Sequence, residues 1–213
     1  MHKVGNVIPF GGYDWRVLCI DGDKTLVLSD KLIIDEMYDF CCDTSTWEDC
    51  YLRKYLNSEF YDSFSDSDKS KIIEVSIENK DNQWFGTPGG NTTKDRVFLL
   101  SIEEVILYFG DSGDLKNRRG RYYSKGEYKI GEPDRYISDQ YDSARKAYDM
   151  SNIAQYWWLR SPGMPGEFSA KRHDVATAAI VNDDVAIAMD GNAVDDTLCT
   201  FVRPALWLSS ETT

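Results

Sequence analysis

Few side chains in this sequence have the types and spacing that chemistry requires. There are two histidines, His2 and His173. A Ser-His-Asp arrangement would have to rest on His173, and Asp174 follows it too closely to orient the ring. The five cysteines, Cys19, Cys41, Cys42, Cys50 and Cys199, are odd in number and contain no C-x-x-C pair. That pattern indicates neither a disulfide framework nor a zinc site, so reduced and partly buried thiols are expected, with no cofactor. Hard-cation chemistry has two fragments, Glu132-Pro133-Asp134 and Val181-Asn182-Asp183-Asp184, whose clustered carboxylates are the groups calcium prefers. Gly86-Thr87-Pro88-Gly89-Gly90 lacks the Lys-Ser or Lys-Thr ending of a phosphate loop and reads as a turn. Asn91-Thr92-Thr93 fits a glycosylation acceptor, a pattern frequent by chance.

Charge narrows the partners. A formal net charge of -12 argues against nucleic acid, because phosphate binding gathers Lys and Arg on one face. The one basic cluster, Lys116-Asn117-Arg118-Arg119-Gly120-Arg121, reads as a solvated loop. No run approaches the roughly 18 apolar residues that cross a bilayer, and Met1 to Asn6 lacks the apolar core of a secretion signal. As given, the chain is expected to be cytoplasmic, with a phage particle or cell surface open if it belongs to a larger assembly.

The elements that must position these residues follow from hydrophobic patterning. Val7 to Phe10, Trp15 to Ile20 and Thr25 to Leu28 read as a β-meander broken by Gly11-Gly12 and Asp21-Gly22-Asp23. Thr46-Trp47-Glu48-Asp49 has the form of a capping box, with Leu52, Tyr55, Leu56 and Phe60 at helical spacing behind it. A second helix is expected from Ser67 to about Glu74, then strands at Val75 to Ile77 and Val97 to Leu100. Ser101-x-x-Glu104 caps a third helix with Ile102, Val105, Ile106 and Phe109 on one face. The polar, Tyr-rich stretch from Asp111 to about Ser151 is too long for an ordinary connector and reads as an ordered excursion. Strands return at Tyr156 to Arg160, Val175 to Asn182, Val185 to Met189 and Cys199 to Leu208. The expected class is α+β, one domain over 1–213 with its terminal strands paired.

Two segments frame the end of the chain: Trp157-Trp158-Leu159-Arg160-Ser161-Pro162 and Val202-Arg203-Pro204-Ala205-Leu206-Trp207. The stretch between them, about 163–201, is small, polar and irregular, and is expected to bury little and to run largely in loops. Trp47, Trp157, Trp158 and Trp207 are expected in the core, with Arg160 and Arg203 bonded to buried carbonyls or carboxylates. A rigid frame around a permissive insert points to a binding surface.

Together with Phe10-Gly11, Trp15-Arg16-Val17-Leu18, Leu52-Arg53-Lys54-Tyr55-Leu56-Asn57 and Lys94-Asp95-Arg96-Val97-Phe98-Leu99-Leu100-Ser101, these segments resemble a poorly characterised bacterial and phage family with a C-type-lectin-like fold. The resemblance spans nearly the whole chain in order. It implies paired terminal strands, helices packed on an antiparallel sheet, and long loop excursions that shape a ligand-binding face. Some relatives are variable proteins of diversity-generating retroelements, in which asparagine codons between such closing motifs are altered at adenines and cannot become Lys, Glu, Gln, Met or Trp. On that filter Met164, Glu167, Lys171 and Met189 are fixed, and Val181 and Val194 are scaffold. Arg172, His173, Asp174, Thr177, Ile180, Asn182, Asp183, Asp184, Ala186, Ile187, Asn192, Asp195, Asp196 and Thr197 form the diversifiable, ligand-binding set. Phe201 and Asp184 depart from the family pattern, where Gly is usual.

The function expected from the resemblance is noncatalytic binding of a protein or glycan ligand. Two alternatives stay open. A formylglycine-generating-type oxidase shares the fold but needs a late cysteine pair, and only Cys199 is late. A calcium-dependent sugar-binding lectin would use the two acidic fragments, although the second lacks its Trp.

Overall fold

The computed structural model describes residues 2–40, 43–117, 135–165, 175–198 and 201–209. The chain opens on β1 (Val7–Phe10), β2 (Tyr13–Asp21) and β3 (Lys24–Ser29), an antiparallel meander. Phe10 pairs with Tyr13 across Gly11 and Gly12, whose φ values of 57° and 85° demand a residue without Cβ in this tight hairpin. β4 (Ile34–Asp35) follows. Helix α1 (Tyr51–Tyr55) runs into a π-helical turn at Leu56–Phe60, and Leu52, Leu56 and Phe60 are buried along one face.

The helix starts later than the capping box predicts. Cys50 is the N-cap, its sulfur accepting from the Arg53 N–H, while Thr46 closes only a preceding turn through its carbonyl. The second helix is also shorter than expected. α2 (Asp66–Lys69) ends before β5 (Ile72–Ile73), because β-branched residues there pair with the final strand.

β6 (Val75–Ile77) pairs with β7 (Thr93–Asp95), and β8 (Val97–Phe98) leads to α3 (Ile102–Phe109). The predicted capping box at Ser101 and Glu104 is present in both directions. α4 (Asp114–Asn117), β9 (Tyr136–Ile137), α5 (Asp142–Arg145) and β10 (Ala147–Tyr148) are the described elements of the Tyr-rich excursion, and β11 (Ala154–Gln155) follows it. The chain then forms β12 (Trp157–Pro162), β13 (Thr177–Val181), β14 (Ile187–Ala193), β15 (Phe201–Val202) and β16 (Ala205–Ser209).

Two larger antiparallel sheets result. The first has the order β1-β2-β3-β16-β5, with β8 also on β16, so the opening meander and the last strand share one sheet. The second has the order β12-β13-β14-β9. The fold is therefore mixed α+β with several antiparallel sheets, and no helix among the described residues is long and apolar enough to cross a membrane.

Both closing motifs lock this frame. Arg203 donates from Nε to the Ser29 carbonyl at 2.9 Å, and its guanidinium lies 5.3 Å and 5.6 Å from the Trp157 and Phe109 ring centroids. Burial lowers its pKa to about 10, and the stacked rings and carbonyls take the place of water around the cation. Arg160 bonds the Leu99 carbonyl and the Glu104 carboxylate. Trp47, Trp157 and Trp158 are fully buried, and Trp207 is half-buried.

One expectation is overturned. The described part of the insert does not bury little: every residue of β13 is buried, as are Ile187 to Asp190 of β14. Small side chains account for it. Ala176, Ala178, Ala179, Ala186 and Ala188 let two strands lie close under their neighbours, so a stretch poor in large residues still fills a core.

Candidate functional site

The β13–β14 hairpin distributes the predicted ligand-binding residues over places that do not meet. Thr177, Ile180, Ala186 and Ile187 lie in the core, at 4%, 6%, 4% and 0% exposure. They are corrected from surface to interior: Ile180 and Ile187 pack in the hydrophobic cluster, and the Thr177 hydroxyl serves the Met164 and Asp190 carbonyls at 2.7 Å and 2.8 Å. Arg172, His173 and Asp174 lie outside the described residues, as do Glu132-Pro133-Asp134 and Cys199.

Asn182, Asp183 and Asp184 form the hairpin tip. Asp183 and Asp184 are exposed, yet each spends a carboxylate oxygen on its own loop, Asp183 on the Asp184 N–H and Asp184 on the Ala186 N–H. Val185 closes the turn at φ 72°, a left-handed conformation that is a genuine outlier for a β-branched residue. Among the described residues no group of three or more His, Cys, Asp or Glu is placed to hold a metal ion.

Asn192, Asp195, Asp196 and Thr197 lie at the opposite end of the hairpin, separated from the tip by the five residues of β13, about 16 Å of strand. There the loop is pre-organised. Asn192 donates to Asp196 at 2.8 Å, the other Asp196 oxygen accepts from the Leu198 N–H at 2.8 Å, and Tyr156 donates its hydroxyl to the Leu198 carbonyl. The Val194 N–H bonds the Ala176 carbonyl, while the Val194 carbonyl accepts from the Asp39 N–H. Thr197 and Leu198 are exposed, Leu198 at 78%. Tyr156, which bonds this loop, packs edge-on against Phe201, and Phe40, which follows Asp39 in the chain, is 56% exposed and packs 4.6 Å from Tyr51.

Cys50 is a poor reagent. It is buried, and burial above all pushes its thiol up to about 12, which keeps it a neutral helix cap rather than a nucleophile. Burial also raises the neighbouring Tyr38 hydroxyl well above its usual range, with Cys50 and Asp39 adding to the effect.

Sequence reasoning missed the polar staples that hold the loops. Asn82, buried, donates to the Pro162 and Met189 carbonyls and accepts from the Trp84 and Phe85 N–H groups, tying the 82–85 turn to the second sheet. Asp95, fully buried, accepts from Trp47 Nε1, Arg53 Nε and Thr93 Oγ. Asn57 bonds the Arg53 and Val97 carbonyls and the Arg96 and Val97 N–H groups. A signal existed for Asn57 and Asp95, which stand inside conspicuous motifs. None marked Asn82.

The sequence matches a family described as a domain of unknown function, DUF6273, over residues 22–210. The chain belongs to the DUF6273 family. No curated protein and no solved structure matches it. In this DUF6273 domain the matched span runs from the turn before β3 to just past β16. It therefore contains both closing motifs, the Asn82 staple and the 192–198 loop, while β1 and β2 precede it. The DUF6273 segment thus relies on residues before its own start to complete the first sheet, since β3 pairs with β2 on one side and β16 on the other.

Proposed function

We propose that this domain is a noncatalytic ligand-binding module of C-type-lectin-like fold, and that its recognition face is centred on the loop from Asn192 to Leu198. The observation that carries the reading is the pre-ordered loop itself. Side chains of Asn192, Asp196 and Tyr156 fix its backbone, and it presents Thr197 and Leu198 to solvent at the end of a hairpin whose β13 is buried throughout. An ordered loop loses little entropy on binding, and an adjoining aromatic ring such as Tyr156 supplies contact area at low conformational cost. The shared sheet of the opening meander and the last strand, with α1 and α3 packed beside it, supports the lectin-like reading of the fold.

Diversification by a retroelement fits a narrower set than the codon filter gives. Asn182, Asp183, Asp184, Asn192, Asp195, Asp196 and Thr197 are the described candidates outside the core, because random polar replacements at Thr177, Ile180, Ala186 or Ile187 would leave buried groups unpaired. Sequencing the adjoining genome tests this part. A reverse transcriptase with a near-repeat of the last coding segment supports it, and the absence of both removes it. Binding is tested by screening the domain against surface proteins and glycans, with Leu198→Glu and Thr197→Arg as loop variants. Loss of capture at an unchanged melting temperature is the expected result, and capture that neither variant disturbs refutes the assignment of the face.

A further inference from the structure

A concave surface elsewhere shares no residue with that loop. It is a groove of about 350 Å³ between α3 and β6, within the size range of small-ligand sites. Leu26, Phe98 and Trp207 line it from the first sheet, and Leu107 and Tyr108 from α3. Two of these rings, Trp207 and Tyr108, are only half-buried, so their faces are within reach of a ligand.

Counting charges around the groove selects the ligand. Arg160 is 6% exposed and already committed to the Leu99 carbonyl and the Glu104 carboxylate. Lys80 faces Glu78 at 4.0 Å. Glu103, the third carboxylate lining the groove, meets no cationic side chain among the described residues. Among the residues that line the groove one negative charge is left over beside π faces, which is the combination that attracts a cation with an apolar body. Trp207 already shows this affinity within the chain, with the Lys24 ammonium 6.0 Å from its ring centroid. Tyr108 stays a neutral phenol, since burial, followed by the Glu104 charge, pushes its pKa up to about 12.

We propose that the groove between α3 and β6 binds a small organic ammonium ion, with its apolar body against Trp207 and Tyr108 and its charge toward Glu103. Lys24 is the internal competitor for the same ring.

Calorimetric titration of the intact domain with choline tests this, alongside 3,3-dimethylbutan-1-ol, which has the same shape without the charge. Choline is expected to bind at least about tenfold more tightly than the alcohol. Glu103→Gln, which keeps a good helix former at the start of α3, should weaken choline by about tenfold and leave the alcohol unchanged. Lys24→Gln should tighten choline by removing the competing cation. Equal affinity for choline and the alcohol overturns the proposal. So does choline binding that ignores Glu103→Gln, absence of heat at about 10 mM choline, or binding of methyl glucoside in its place.

Discussion

Asn82→Ala is the sharpest test of how the loops are tied to the frame. The side chain is 3% exposed and makes hydrogen bonds of 2.8 Å and 2.9 Å to the Pro162 and Met189 carbonyls, and of 2.9 Å and 3.2 Å from the Trp84 and Phe85 N–H groups. Each such bond is worth about 1 kcal/mol net, and truncation leaves four buried backbone groups without that partner, so the loss should be about 4 kcal/mol. For a chain of this length that is a fall in melting temperature of roughly 10 °C. Asn82→Asp should be at least as damaging, because a carboxylate would face two carbonyl oxygens in place of the amide donors. Asn91→Ala is the control: Asn91 is exposed, its side chain bonds only Glu48, and its loss should cost under about 1 kcal/mol. Denaturant titration of the three variants is the assay. An Asn82→Ala midpoint indistinguishable from that of Asn91→Ala would show that the turn at 82–85 is not held in the way described.

Other perturbations bear on the cap, the hairpin tip and two glycines of positive φ. The folded protein holds the Cys50 proton up to about 12 whereas the unfolded chain releases it near the ordinary 9.0, so this group makes stability fall as pH rises between those values, by up to about 1.4 kcal/mol per pH unit. Cys50→Ala should remove that part of the decline when urea midpoints at about pH 8 and about pH 10.5 are compared, and an identical slope in both proteins would contradict the assignment. Val185→Asn should raise stability by about 0.5–1 kcal/mol, since Asn tolerates the left-handed backbone at φ 72° that Val resists; an unchanged or lower midpoint would mean the tip is not strained. Gly191→Ala should cost about 3 kcal/mol, because φ is 75° and a Cβ there would stand 2.1 Å from the Ala178 carbonyl oxygen. Gly22→Ala, with φ 59° but open space around it, should lose only about 1–2 kcal/mol on the same assay, and equal losses would argue against the close approach.

What the sequence revealed and concealed divides along physical lines. The meander was legible because short apolar runs and Gly11-Gly12 act through neighbours in the chain, and the Ser101 to Glu104 capping box is likewise local. Arg160 and Arg203 were legible because a cation set among apolar core residues needs partners wherever the fold puts it. The same local reasoning misplaced the first helix start, where a buried cysteine outcompeted Thr46-Trp47-Glu48-Asp49 as the cap. It also misjudged the insert. Alanine-rich strands carry little hydrophobic signal, yet their thinness is what lets β13 and β14 sit inside, and this moved Thr177, Ile180, Ala186 and Ile187 from the presumed surface to the core. That the tip and the 192–198 loop fall at opposite ends of one hairpin depends on strand register, which no list of candidate positions contains. Asn82 joins positions 80 and 107 residues away in sequence, a link that single-chain periodicity does not register.

The central claim is that the loop from Asn192 to Leu198 is the recognition face. Its most direct test is the affinity of Leu198→Glu for a ligand captured by the wild-type domain from a panel of surface proteins and glycans, measured beside Asp183→Ala at the far tip. The account predicts that Leu198→Glu lowers affinity by at least about tenfold with its melting temperature unchanged, while Asp183→Ala binds as the wild type does. Undiminished binding by Leu198→Glu, or loss of binding only in Asp183→Ala, would contradict it.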